Sequence, residues 1–219
     1  MMKKTFWAMM LLFALGFAGS SLSQEVEGIN MKGLDPNQVA ALARQGSLLI
    51  VKLNPDGSLK EIVAAAVVNA PVDKVWKTIV DFESYPKFMP QTTGMKIIAR
   101  PAENQVITEQ TIQIEIYVLK VNLTYQHLQK LEPGKKIRFT HLSGDLPGTY
   151  GGWDLVEVPG KNQTIIFYSL YSNLTSLSWP IGPIMKAQPD FLTSVNVSTG
   201  SMVVKAVKEE AETRQESCK

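Results

Sequence analysis

The chain has 219 residues, a formal net charge of +2 and a hydrophobic fraction of 45 %, enough to build one sizeable core. A balance so close to neutral lacks the basic footprint that phosphate-backbone binding requires, which argues against nucleic acid as a partner. The single cysteine, Cys218, excludes an internal disulfide and a cysteine-based metal site.

At the front, Lys3 and Lys4 precede an apolar run from Phe6 to Ala18, and Ser21 and Ser23 stand at −3 and −1 of a cut before Gln24. A basic start, a short apolar stretch and a small-residue exit describe a secretory signal peptide, residues 1–23. The run falls short of the roughly 20 apolar residues of a comfortable membrane span. An uncleaved N-terminal anchor is the alternative. The expected location is the periplasm, and loss of the leader would take both lysines and bring the formal charge to zero.

In the N-terminal extension, residues 24–53, Asp35-Pro36 opens a helix through about Arg44, with Asp as N-cap and Pro at the first helical position. "SLLIVKL" reads as a strand, "NPDG" as a tight turn and "SLKEIVAAAVVN" as the returning strand. Residues 72–81 favour helix, with Val72, Val75, Trp76, Ile79 and Val80 as one stripe, and Pro86 and Pro90 stop any continuation. In "TEQTIQIEIYVLK", Ile112, Ile114, Ile116 and Val118 share one face, while Glu109, Thr111, Gln113 and Glu115 share a face directed to solvent. "VNLTYQHLQKL", "KKIRFTHL", "GGWDLVEV" and "QTIIFYSLYSNL" continue an antiparallel meander whose apolar face needs a cover. That cover is a final helix from about Gln188 to Ala211, with Leu192, Val195, Met202, Val203 and Ala206 at helical spacing. Asn196, Thr199, Gly200 and Ser201 interrupt the stripe and leave room beneath it. Residues after Lys208 are expected to fray, with 212–219 a charged tail.

"VNAPVDKVWKTIVDFESYPKFMP" and "LPGTYGGWDLVEV" together resemble the START-like (SRPBCC) superfamily of polyketide cyclases, coenzyme-Q-binding proteins and lipid-transfer domains. The resemblance covers about residues 58–210. It implies an α+β helix-grip fold over 54–211, in which a curved antiparallel sheet wraps a long C-terminal helix around a central cavity. The bend at Tyr85, Phe88 and Met89 is then either the cavity mouth or a plug at one end of the core. "SNLTSLSWPIGPIMKAQPDF", too proline-rich for regular structure, is a lid facing that bend or an ordinary packed connection.

Chemistry is sparse. His127 and His141 each lie in an expected strand, close together if their strands are neighbours, and both read as structural residues bonded to backbone or water. No third ligand joins them, so neither a metal nor a cofactor is expected. No nucleophile elbow or phosphate loop occurs. The Asn-x-Ser/Thr sequons at Asn122, Asn162, Asn173 and Asn196 read as chance. The expected function is non-catalytic carriage of a lipid, quinone, sterol or polycyclic compound, with transient membrane contact. A cyclase- or aromatase-like enzyme and a protein-interaction module are the alternatives. The expected walls are Trp76, Tyr85, Phe88, Met89, Ile112, Ile114, Ile116, Phe139, Trp153, Phe167, Trp179, Val195 and Met202, with Tyr125, Tyr168, Asn196 and Thr199 orienting the guest. No catalytic residue is assigned.

Overall fold

The computed structural model describes residues 26–46, 48–116 and 119–216. The leader, Val118 and Cys218 lie outside them, as do the side chains of Glu115 and Ile116. Helix α1 (Pro36–Gln45) starts where Asp35 accepts the Asn37 backbone N–H at 2.9 Å. Strands β1 (Leu48–Leu53) and β2 (Leu59–Val68) form the hairpin around Asn54–Gly57. Helix α2 (Val72–Val80) follows, and a 3₁₀ turn (Phe82–Ser84) leads to one further helical turn, α3 (Tyr85–Phe88). Pro86 does not stop the chain here. It sits in the first turn of α3, where its missing N–H has no intrahelical acceptor to lose.

The meander comprises β3 (Thr92–Ala102), β4 (Gln105–Ile116), β5 (Leu119–Glu132), β6 (Lys136–Gly144), β7 (Tyr150–Glu157) and β8 (Thr164–Tyr171). The strands described form one antiparallel sheet of eight in the order β1-β2-β8-β7-β6-β5-β4-β3. Strand β3 goes unassigned in the sequence pattern because its register slips at Thr92/Gly94, Ile97/Ala99 and Ala99/Ala102, which destroys the alternation.

The segment after β8 is more regular than its prolines imply. It holds a 3₁₀ turn (Leu174–Ser176) and helix α4 (Ile181–Ala187), with Pro183 in the helix's first turn. The last helix, α5 (Pro189–Glu216), runs past the point of expected fraying. Its end is tied down: Lys208 donates to the Val67 carbonyl at 2.6 Å, Glu212 accepts from the Asn69 N–H at 2.8 Å, and Arg214 pairs with Asp81 at 2.9 Å.

The two faces of the sheet are distinct. On the concave face, Ile62, Ala64, Ala66, Phe139, Trp153 and Tyr168 form the main core with Val204 and Val207 of α5. On the convex face, α1 covers Val63, Ala65, Val67, Ile165 and Phe167. Residues 26–30 are strapped to that side by polar contacts. Lys52 bonds both the Gly28 carbonyl and the fully buried Glu61, and Ile29 N–H donates to Asp154, which also holds Arg138 at 2.6 Å. The Gly151-Gly152 pair serves both faces. A Cβ at Gly151 would run into the Phe139 ring, and one at Gly152 into the Arg138 side chain and the Ile137 carbonyl.

Candidate functional site: an apolar cavity under the last helix

Between the sheet and the N-terminal half of α5 lies a cavity of about 490 Å³, within the roughly 300–1,000 Å³ typical of small-molecule pockets. Its floor is the concave face of β4 to β8, from Ile112 and Ile114 through Tyr125, Phe139 and Trp153 to Tyr168. Its roof is one face of α5, where Phe191, Val195, Thr199 and Met202 follow one another at helical spacing. Phe82, Tyr85, Met89 and Pro90 from the bend after α2, Leu146 from the loop before β7, and Ile181 and Met185 from α4 also line the cavity. Gln91 and Leu146, both lining residues, hold left-handed backbone at φ 60° and 61°, a conformation uncommon for non-glycine residues.

Among the described residues no Asp, Glu, Lys or Arg lines the cavity. Two of its amides are already engaged, Gln110 donating to Thr92 at 3.0 Å and Gln129 to Thr108 at 3.2 Å. Three aromatic polar groups are not. Tyr125 and Tyr168 make no hydrogen bond among the described residues, and His127 Nε2 is buried without a partner. These side chains join an aromatic row: Tyr125 to His127 at 4.8 Å, His127 stacked on Phe139 at 4.9 Å, and Trp153 against Tyr168 at 4.5 Å between centroids. Burial holds both phenols in their neutral form by raising their pKa. Burial, helped by the nearby His141, pushes the His127 pKa down to about 3, so its ring is uncharged at neutral pH. Among the described residues no cluster of three or more His, Cys, Asp or Glu could hold a metal ion.

Of the residues expected to face the guest, Tyr85, Met89, Ile112, Ile114, Tyr125, Phe139, Trp153, Tyr168, Val195, Thr199 and Met202 line this space. Others do not. Phe167 neighbours Tyr168 on β8, and successive strand residues point to opposite faces, so it packs under α1. Trp76 and Phe88 pack on the outer side of the main core, Phe88 against Tyr85 at 5.5 Å and under Arg214. Asn196 is fully buried but accepts from Ser172 N–H at 2.7 Å and donates to the Leu192 carbonyl, which staples α5 to the end of β8. Trp179 stands 83 % exposed, in the segment between β8 and α4. Gly200 leaves no room for a guest; it lets α5 approach Ile62 on β2. The side chain of Ile116 lies outside the described residues.

Sequence reasoning missed His127, Gln110, Gln129 and Thr92 as wall residues. The signal was present for three of them: His127 and Gln129 share parity with Tyr125 on β5, and Gln110 with Ile112 and Ile114 on β4. His127 and His141 do lie together, directly paired across β5 and β6, but only His127 faces the cavity. Glu109 faces away from the cavity, held by Lys96 at 2.7 Å and by Gln126.

A curved antiparallel sheet gripping a terminal helix around a charge-free apolar cavity defines a START-like, helix-grip protein built to bind hydrophobic small molecules. The chain belongs to the polyketide cyclase / dehydrase and lipid transport family, whose model matches residues 68–192. Among curated proteins no sequence match was found. Solved structures share the fold at low identity. A STAR-related lipid transfer protein from Xanthomonas axonopodis is 19 % identical with a TM-score of 0.55, over 76 % of this chain and 94 % of that one. The Zhui aromatase/cyclase from Streptomyces sp. R1128 is 17 % identical with a TM-score of 0.54, over 71 % and 95 %. A START superfamily protein from Mycobacterium smegmatis is 19 % identical with a TM-score of 0.51, over 73 % and 99 %.

Proposed function

We propose that this protein is an exported, non-catalytic carrier of a hydrophobic small molecule, a lipid, quinone, sterol or polycyclic compound. The observation that carries the reading is the cavity itself, about 490 Å³ of mainly apolar space with no charged group among the described residues that line it. Burial of apolar surface, worth about 25 cal/mol per Å², retains such a guest without any acid–base apparatus. Export is supported by the leader pattern of residues 1–23. Transient membrane contact is supported by exposed Trp179 and Ile184, just before and within α4, and by half-exposed Phe191 and Met202, which also line the cavity.

A second reading, a cyclase- or aromatase-like enzyme, draws on one specific observation: His127 and Tyr125 face the cavity side by side. A general base works best with a pKa near the operating pH. His127, held near 3 and without an orienting carboxylate, fits that role poorly.

A native mass spectrum of protein isolated from its host tests the carrier reading. The expected result is a protein beginning at Gln24 with one apolar molecule bound per chain, which solvent extraction releases. Protein that is always empty, and takes up no hydrophobic compound, would sink it.

A further inference from the structure

We infer that the cavity selects an uncharged guest carrying a hydrogen-bonding oxygen, a carbonyl or hydroxyl, seated against Tyr125, His127 and Tyr168, and that it rejects carboxylates and phosphates. The inference rests on the carrier reading and narrows its ligand class.

Three observations converge on it. The first is a lack of cationic groups: an anion entering this space would meet no lysine or arginine among the lining residues. Burying an unpaired charge costs far more than apolar contact returns. The second is an orphan. His127 is only 6 % exposed, it lines the cavity, and its Nε2 has no hydrogen-bond partner in the protein. Buried polar atoms are rarely left so, which makes this ring a wall residue with a hydrogen bond still to make. The third is the company His127 keeps. Tyr125 lies 4.8 Å away, and Tyr168 follows beyond Phe139, both with hydroxyls unengaged by the protein among the described residues. A neutral phenol donates and a neutral imidazole offers one donor and one acceptor. Together they can receive the lone pairs of a carbonyl or both ends of a hydroxyl. The polar pairs Gln110–Thr92 and Gln129–Thr108, already closed on themselves, do not compete for the guest. The surrounding rings of Phe139 and Trp153 give a flat apolar body surfaces to stack on.

A matched set of fluorescent probes tests this on the full chain: pyrene, acetylpyrene and pyrenecarboxylate, which share one apolar body and differ in polar group. At pH 8 acetylpyrene should bind about tenfold tighter than pyrene, because it satisfies groups that pyrene leaves unpaired. Pyrenecarboxylate should bind roughly tenfold or more weaker than pyrene. In His127→Phe the preference for acetylpyrene over pyrene should collapse. Tyr125→Phe and Tyr168→Phe, which remove a single oxygen each and spare the fold, should each shrink that preference. Carboxylate binding equal to ketone binding overturns the inference, as does a ketone preference that survives all three substitutions. Tight but indiscriminate binding of all probes would overturn it and leave the carrier reading standing. Failure to bind any probe would take the carrier reading down as well.

Discussion

At His127 a single buried ring links the cavity to the pH dependence of stability. Its folded-state pKa is about 3, against an ordinary value of 6.5, so the unfolded chain takes the proton first. Stability therefore falls as the pH drops below about 6.5, at roughly 1.4 kcal/mol per pH unit, and continues to fall until the folded ring can protonate. Urea unfolding at pH 7 and pH 4.5 should show His127→Phe losing roughly 2.5 kcal/mol less than the native chain over that interval. Identical losses in both proteins would mean that the imidazole is not held neutral. The same residue marks a limit of sequence reading. A lone histidine in a strand has no local signature for which face of the sheet is hollow, and only its parity with Tyr125 pointed inward. Parity also decides between Phe167 and Tyr168, neighbours of equal aromatic appeal, of which one faces the cavity and the other faces α1.

The long helix α5 divides its work along its length. Gly200, Val204, Val207 and Ala211 press on the sheet and belong to packed core, whereas Phe191, Val195, Thr199 and Met202 roof the cavity. Val207→Ala should destabilise the protein by about 2 kcal/mol, because methyl groups leave a filled site. Met202→Ala, which widens a space already present, should cost under about 1 kcal/mol and instead weaken guest retention. Urea midpoints and probe affinities for the two variants check this division; equal midpoint shifts would erase it. The Arg214–Asp81 pair, about one-third exposed on each side, adds at most about 1 kcal/mol to the helix end. The elements that sequence periodicity recovered least well were hidden for different reasons. In β3 the slipped register hides the alternation, and in α4 the prolines that signal an interruption lie at its start, where helices tolerate them.

For the whole molecule, the proposed carrier function makes stability depend on occupancy of the cavity. A guest that binds the folded chain alone stabilises it by RT ln(1 + [L]/Kd), about 2.7 kcal/mol at a hundredfold excess over Kd. Delipidated protein should thus melt several degrees below protein as isolated, and re-addition of the extracted compound should restore the difference; calorimetry reads both. An unchanged melting temperature after verified extraction would show that the occupied space contributes nothing to the folded state.

The order of most elements, the sheet's antiparallel build and the helix-grip architecture were legible in the chain alone. Alternation, turn residues and helical stripes are local properties, and short-range sterics write them directly into the sequence. Which faces meet was decided only in three dimensions. Gly200 beside Ile62, Phe139 over Gly151 and Asn196 on Ser172 each join residues far apart along the chain, whose fit depends on how the sheet curves. That curvature separates a packed region around Val204 and Val207 from the open space beside Tyr125 and His127. A void is defined by the atoms that fail to reach it from several elements at once, so no single stretch of sequence can encode it.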